Sequence, residues 1–219
     1  MSGFFSIDNP FFTFMGKVCD MMIISLLWFV CCLPIVTIGP ATTALYYVMV
    51  KVIRRERGYV FREYCRSFKE NFKVGTISGV ILVLLAVILV IDYNFAIQMM
   101  QQNSMVGNIF FAVYCAIIMI CLCILMFIFP ILSRFTVTVK GLFKTAFFIS
   151  IRHLPTTILL ILIFAVAVLG CWLTVIGIVI IPAVCCLLSS FLIERVFKKY
   201  MPKPEESAEE SGKDTWYLE

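Results

Sequence analysis

Chemistry inside an apolar helix needs an ionisable or polar side chain, and such residues are rare because burying charge in hydrocarbon is costly. Few occur in this chain. Asp20 lies three residues after Lys17, which puts both on one helix face. They read either as a structural pair near the membrane surface or as a proton or cation site. Glu194 and Arg195 close the last apolar stretch, where adjacency suggests an interfacial ion pair, and Asp92 closes an earlier one. A second kind of chemistry lies in Pro34-Ile35-Val36-Thr37-Ile38-Gly39-Pro40, whose two prolines and glycine interrupt any helix. The break leaves backbone groups without helical partners. The hydroxyls of Thr37, Thr42 and Thr43 can cap them, and a helix starting near Pro40 would offer free N–H groups to an anion. The segment therefore reads as a tight structural turn or, with Asp20, Thr37, Gly39, Pro40, Thr42 and Thr43, as a solute site.

No catalytic, cofactor-binding or metal-ligating set emerges. Cys31-Cys32 and Cys185-Cys186 are vicinal, so the members of each pair point to different faces; Cys121 and Cys123 diverge around a helix in the same way. There is no CxxC pair, and the lone histidine, His153, stands beside Arg152 at a membrane surface. Apolar packing accounts for the thiols. The chain carries no P-loop, zinc-metalloprotease helix, serine-nucleophile elbow or dinucleotide fingerprint. Paired carboxylates and a histidine base are missing from the apolar stretches, so a non-enzymatic role without a cofactor is expected.

The elements that must position these residues follow from composition. Of 219 residues, 62% are apolar and 14% charged, against roughly 45–50% and roughly 25% in soluble domains. That surface excludes a soluble chain and predicts an all-α, polytopic transmembrane bundle. About 20 apolar residues cross a hydrocarbon core of roughly 30 Å. Val18–Leu33, Val74–Ile91 and Ile109–Leu132 qualify, and Thr156–Ile193 is long enough for a hairpin divided at Gly170 and Gly177. Pro34–Ile53 is ambiguous. If the heptapeptide is an apolar turn dipping into the bilayer, with Ala41–Arg55 returning and Lys51 snorkelling, there are six spans. If Ala41–Ile53 lies in the interface, there are five.

Orientation follows from the loops. Lys51–Lys73 holds eight basic and three acidic residues and Arg134–Arg152 four more basic ones, whereas Asp92–Asn108 and Cys171–Gly177 hold neither Lys nor Arg. The basic loops and the C-terminus are expected on the cytoplasmic side. Both loops are amphipathic: Phe61, Tyr64, Phe68 and Phe72 recur at helical spacing beside Arg62, Arg66, Lys69 and Lys73, and Leu142, Phe143, Ala146 and Phe147 beside Lys140 and Lys144. Two interfacial helices are expected, contacting the lipid bilayer and its anionic headgroups or docking a cytoplasmic partner. Basic residues placed beside hydrophobic spans argue against nucleic acid. Residues 1–200 form the membrane domain, with sixteen basic and seven acidic residues; 201–219, with two and six, read as a disordered acidic cytoplasmic tail. The start lacks the basic region and cleavage site of a signal peptide. A loose internal echo, Ile38-Gly39-Pro40-Ala41 against Ile181-Pro182-Ala183, hints at duplicated hairpins.

One resemblance covers residues 5–200. Asp20, Leu27-Trp28, Leu33 to Ala41, Ala44-Leu45-Tyr46-Tyr47, Gly58-Tyr59-Val60 and Phe68-Lys69-Glu70-Asn71-Phe72-Lys73 resemble the YesL family of bacterial integral membrane proteins. Arg134 and Arg152-His153-Leu154-Pro155 fit more loosely. The resemblance implies a multi-pass protein of the bacterial plasma membrane. It implies no catalytic residues, since the family is a domain of unknown function. Its members are commonly encoded near carbohydrate-uptake genes, which suggests an accessory or regulatory role beside a sugar-uptake transporter or sensor. The alternative is a small-solute permease using the Pro34–Thr43 break.

Overall fold

The computed structural model describes residues 10–101 and 105–200, and among these it contains helices and no strand. The acidic tail lies outside the described residues. α1 spans Pro10–Cys32. A short 3-10 turn, Ile35–Thr37, leads into α2, Ile38–Val48, which continues as a π-helical segment, Met49–Arg54. α3 is Val60–Glu70, α4 is Phe72–Gln101 and α5 is Met105–Arg134. α6 is Val139–Arg152 and α7 is Leu154–Leu173; a 3-10 turn at Val175–Val179 precedes α8, Ile181–Phe197.

Among the described residues, five segments are long and apolar enough to cross a membrane: Thr13–Cys32, Ile35–Arg54, Phe72–Gln101, Met105–Arg134 and Leu154–Leu173. They differ from the five of the sequence-based alternative. The ambiguous second segment is among them, because the 3-10 turn, α2 and the π segment run on as one rod. The expected last span is not: α8 has 17 residues, about 26 Å at about 1.5 Å per residue, slightly less than the roughly 30 Å of hydrocarbon.

Burial is concentrated at one end. One apolar core joins the last two turns of α5 (Phe127, Ile128, Ile131) to α6 (Leu142, Ala146) and α8 (Phe197). A second joins α1 (Ile24), α2 and its π extension (Leu45, Met49, Ile53) and α3 (Tyr64). By contrast, beyond Gly79 the buried residue of α4 is Ala96, and before Phe127 those of α5 are Gly107 and Tyr114. Tyr114 belongs to the seam between the two helices, where its hydroxyl donates to the Leu89 carbonyl and the Tyr93 ring lies 6.2 Å from its own. Ile88, Val90, Ile91, Ile109, Phe110 and Val113 point outward, as the flanks of a helical pair facing lipid do.

α3 and α6 are helices over the two segments in question, and packing divides the faces of α3 differently from the periodicity. On α3, Glu63, Tyr64 and Ser67 are buried, whereas Phe61 is exposed, as is Phe72 at the start of α4. Gly58 explains how α3 doubles back along α2: its φ of +88° is a left-handed conformation that L side chains rarely adopt, and an added Cβ would lie 3.0 Å from the Glu63 side chain.

Candidate functional site

Two buried polar clusters and one cavity form the candidate site. In the first cluster, Glu194 of α8 accepts from Arg134 of α5, Nη2 at 2.6 Å and Nε at 3.0 Å, while the Tyr46 hydroxyl of α2 donates to the same carboxylate oxygen at 3.2 Å. The Arg134 and Glu194 side chains are 2% and 5% exposed. Such a pair survives burial because each charge is matched and hydrogen-bonded; removing one partner would strand the other. Nearby, Arg54 Nη1 donates to the Ser190 carbonyl at 3.0 Å and its guanidinium lies 4.4 Å from the Phe191 ring, tying the end of the π segment to α8. The sequence-based pairing of Glu194 with Arg195 is thus corrected: Glu194 turns inward to Arg134, while Arg195, one residue further around the helix, is exposed.

The second cluster lies one turn along α2. Lys51 Nζ donates to Glu63 Oε2 at 2.8 Å and to the Tyr47 hydroxyl at 3.1 Å, with Lys51 6% and Glu63 8% exposed. Lys51 therefore does not snorkel, because α3 brings a carboxylate to it. The π segment that carries Lys51 is a rare geometry that is frequent at functional sites. Next to this pair, the Tyr64 hydroxyl donates to the Ala41 carbonyl at 3.4 Å, and burial pushes the Tyr64 phenol well above its usual range.

Beside the first cluster lies a cavity of about 560 Å³. Its walls are apolar, from Leu82 and Ala86 of α4, Met126 and Phe129 of α5, Phe164 and Val168 of α7, with Trp28, Thr42 and Tyr46 adding the few polar atoms. Tyr46 links the two features: its ring borders the cavity and its hydroxyl reaches Glu194.

The residues of the helix break are occupied within the chain. The Thr37 hydroxyl donates to the Cys31 carbonyl at 2.6 Å and the Pro34 carbonyl at 2.8 Å. Thr42 donates to the Ile38 carbonyl at 2.8 Å and accepts from Trp28 Nε1 at 3.2 Å, and Thr43 donates to the Gly39 carbonyl at 2.9 Å. Gly39 and Pro40 are buried against α4: a Cβ on Gly39 would stand 2.0 Å from the Gly75 carbonyl oxygen and 3.3 Å from Gly79 Cα. The readable signal for this crossing is Gly75-Thr76-Ile77-Ser78-Gly79, a small-xxx-small spacing that lets helix backbones touch. Because α2 starts at Ile38 rather than near Pro40, its first turn faces α4. Asp20 is half-buried and stands apart from these groups; Lys17 pairs instead with Glu56, just past the π segment. That contact holds the Glu56 carboxyl below its ordinary range.

The six candidate cations of the amphipathic helices, Arg62, Arg66, Lys69, Lys73, Lys140 and Lys144, are all exposed, and Arg66 forms a surface pair with Glu70 at 2.9 Å. Burial and the charges of Lys199 and Arg152 hold His153 below its ordinary pKa; its Nε2 lies 3.1 Å from the Tyr200 hydroxyl. Among the described residues, no group of three or more His, Cys, Asp or Glu is placed to hold a metal ion.

Fold and site together define a multi-helix membrane protein whose buried polar groups join helices to one another. Residues 21–93, from mid-α1 into α4, match the model of a family described as "Protein of unknown function, DUF624". The chain is also 26% identical over 153 residues to the "Uncharacterized protein YesL" of Bacillus subtilis (strain 168), covering 69% of this chain and 70% of that protein. No solved structure matches it. Over these stretches the chain is thus similar to proteins whose function is unknown.

Proposed function

We propose that this protein is a non-catalytic accessory or regulatory component of the bacterial plasma membrane, associated with carbohydrate uptake, with its basic loops and C-terminus in the cytoplasm. The observation that carries this reading is the mounting of α3. The buried Lys51–Glu63 pair and Tyr64 fasten one face of the helix to α2, while Arg62, Arg66 and Lys69 project from the other, and Lys73 follows at the start of α4. A helix held this firmly with its cations outward is suited to dock a partner or an anionic lipid surface. α6 offers a second such edge at Lys140 and Lys144. The carbohydrate element comes from the YesL resemblance. The test is recovery of partners in mild detergent from cells grown with and without the relevant sugar, comparing the native chain with Arg62→Ala/Lys69→Ala/Lys73→Ala. Loss of a co-purifying transporter or sensor from the variant is expected; identical recoveries from both chains would overturn the reading.

A second reading, a small-solute permease, is favoured by one observation: Thr42 of the helix break borders the cavity. Solute flux in proteoliposomes that is unchanged by Thr42→Val would remove that site.

A further inference from the structure

We infer that the α1–α2 hairpin is re-entrant: it enters and leaves the bilayer on the side of the basic loops, and its turn at Leu33–Thr37 rests in hydrocarbon instead of on the far surface. This rests on the multi-pass reading and is independent of the proposed accessory role.

The slab is defined by α4. After Lys73 its apolar run extends from Val74 to Ile91, where Asp92-Tyr93-Asn94 begins; that is about 27 Å at about 1.5 Å per residue, close to the roughly 30 Å of a hydrocarbon core. α2 meets α4 at the near end of this run. Gly39 packs on Gly75 and Gly79, and a Cβ on Gly75 would in turn stand 3.0 Å from the Pro40 nitrogen. The contact is backbone on backbone, so its height is fixed. From Gly79, α4 climbs about 18 Å further to Ile91 at about 1.5 Å per residue.

The hairpin cannot follow it that far. Thr37 Oγ1 bonds both the Cys31 and the Pro34 carbonyls, so the chain has already reversed across this turn, and Ile35 and Val36 stand within four residues of Gly39. Even along a straight 3-10 path they would pass the crossing by at most about 8 Å, at about 2.0 Å per residue. Ile35 therefore stops about 10 Å short of the end of the apolar run, a difference between the two rises just given.

Two independent observations agree. The turn is apolar where it is open: Leu33 is 69%, Ile35 61% and Val36 50% exposed, and the Cys31 and Pro34 carbonyls accept from Thr37 within the chain. Moreover, the scarcity of buried residues in α4 beyond Gly79, and in α5 before Phe127, is what two helices crossing the far leaflet without α1 and α2 beside them would show.

Fluorescence quenching in liposomes tests the depth. Ile35→Trp, and separately Leu33→Trp, would each be read as the difference from the parent chain, with Tyr93→Trp as the far-surface reference. Lipids brominated deep in the acyl chain should quench the introduced indole at residue 35 or 33, and aqueous acrylamide should quench it several-fold less than at residue 93. Acrylamide quenching at 33 or 35 equal to that at 93, with no response to deep bromine, would overturn the inference. Two turn positions, each exposed in the structure, guard against one variant failing to fold.

Discussion

Arg134 and Glu194, sixty positions apart in sequence, meet at 2.6 Å in an almost fully buried ion pair that joins α5 to α8, with the Tyr46 hydroxyl joining α2 to the same carboxylate. Three helices thus converge on one carboxylate. Glu194→Ala should destabilise the purified protein by about 3–5 kcal/mol, because the guanidinium is left buried without its counterion. Arg134→Met/Glu194→Leu should recover most of that loss, since a packed apolar pair replaces a buried ionic one at little cost. Thermal unfolding in detergent reads both; equal damage from the single and the double variant would refute the coupling.

The crossing of α2 and α4 makes a second prediction. Gly39→Ala drives its new methyl into the Gly75 carbonyl, and Gly79→Ala places one 3.0 Å from the Gly39 nitrogen. Because the obstacles are backbone, the helices must separate, at a cost of about 1–3 kcal/mol or more. Gly16→Ala, with nothing within 4 Å of its added carbon, is the matched control and should leave stability unchanged or slightly raised. Equal melting temperatures for Gly39→Ala and Gly16→Ala would show that the crossing is looser than the distances state.

A pH dependence follows from His153. Its folded pKa lies below the ordinary 6.5, through burial first and then Lys199 and Arg152. The unfolded chain therefore binds the proton more readily. The corresponding stability is present above pH 6.5 and is lost as pH falls through 6.5 toward the folded value, below which it levels off. Melting followed between pH 8 and 5 should show this step, and His153→Gln should remove it. A step of the same size in His153→Gln would assign it to another group.

Much of the helix inventory is legible in the sequence because an unbroken apolar run has one solution in a bilayer: α4 and α5 contain the expected Val74–Ile91 and Ile109–Leu132. The break at Pro34–Pro40 is legible only in part: the chain bends at Leu33-Pro34, but Gly39 and Pro40 lie inside the rod that runs from the 3-10 turn through α2, because a proline in the first turn of a helix has no N–H to lose. The pairings of charges are not. Arg195 and Asp20 are the sequence neighbours of Glu194 and Lys17, yet Glu194 pairs with Arg134 and Lys17 with Glu56, because tertiary packing sets which side chains face one another. Lys51 offers the same lesson: Glu63 becomes its partner when the turn at Gly58 folds α3 back on α2. The Gly75–Gly79 spacing lies between. It is visible as a motif, but that its partner is the Gly39-Pro40 break emerges from the packing alone.

The convergence on Glu194 also orders the assembly of the chain during synthesis. Arg134 and Tyr46 emerge from the ribosome well before Glu194, so α2 and α5 enter the membrane with a guanidinium and a phenol whose shared acceptor has not yet been made. Until α8 inserts, the guanidinium is best held near the headgroups, where water and phosphate can solvate it. Arrival of α8 then lets it move inward and closes the basic end of the bundle. Completion of the fold is in this sense deferred to the last of the described helices, and a nascent chain stalled before residue 194 would remain an open intermediate, exposed to membrane quality-control proteases.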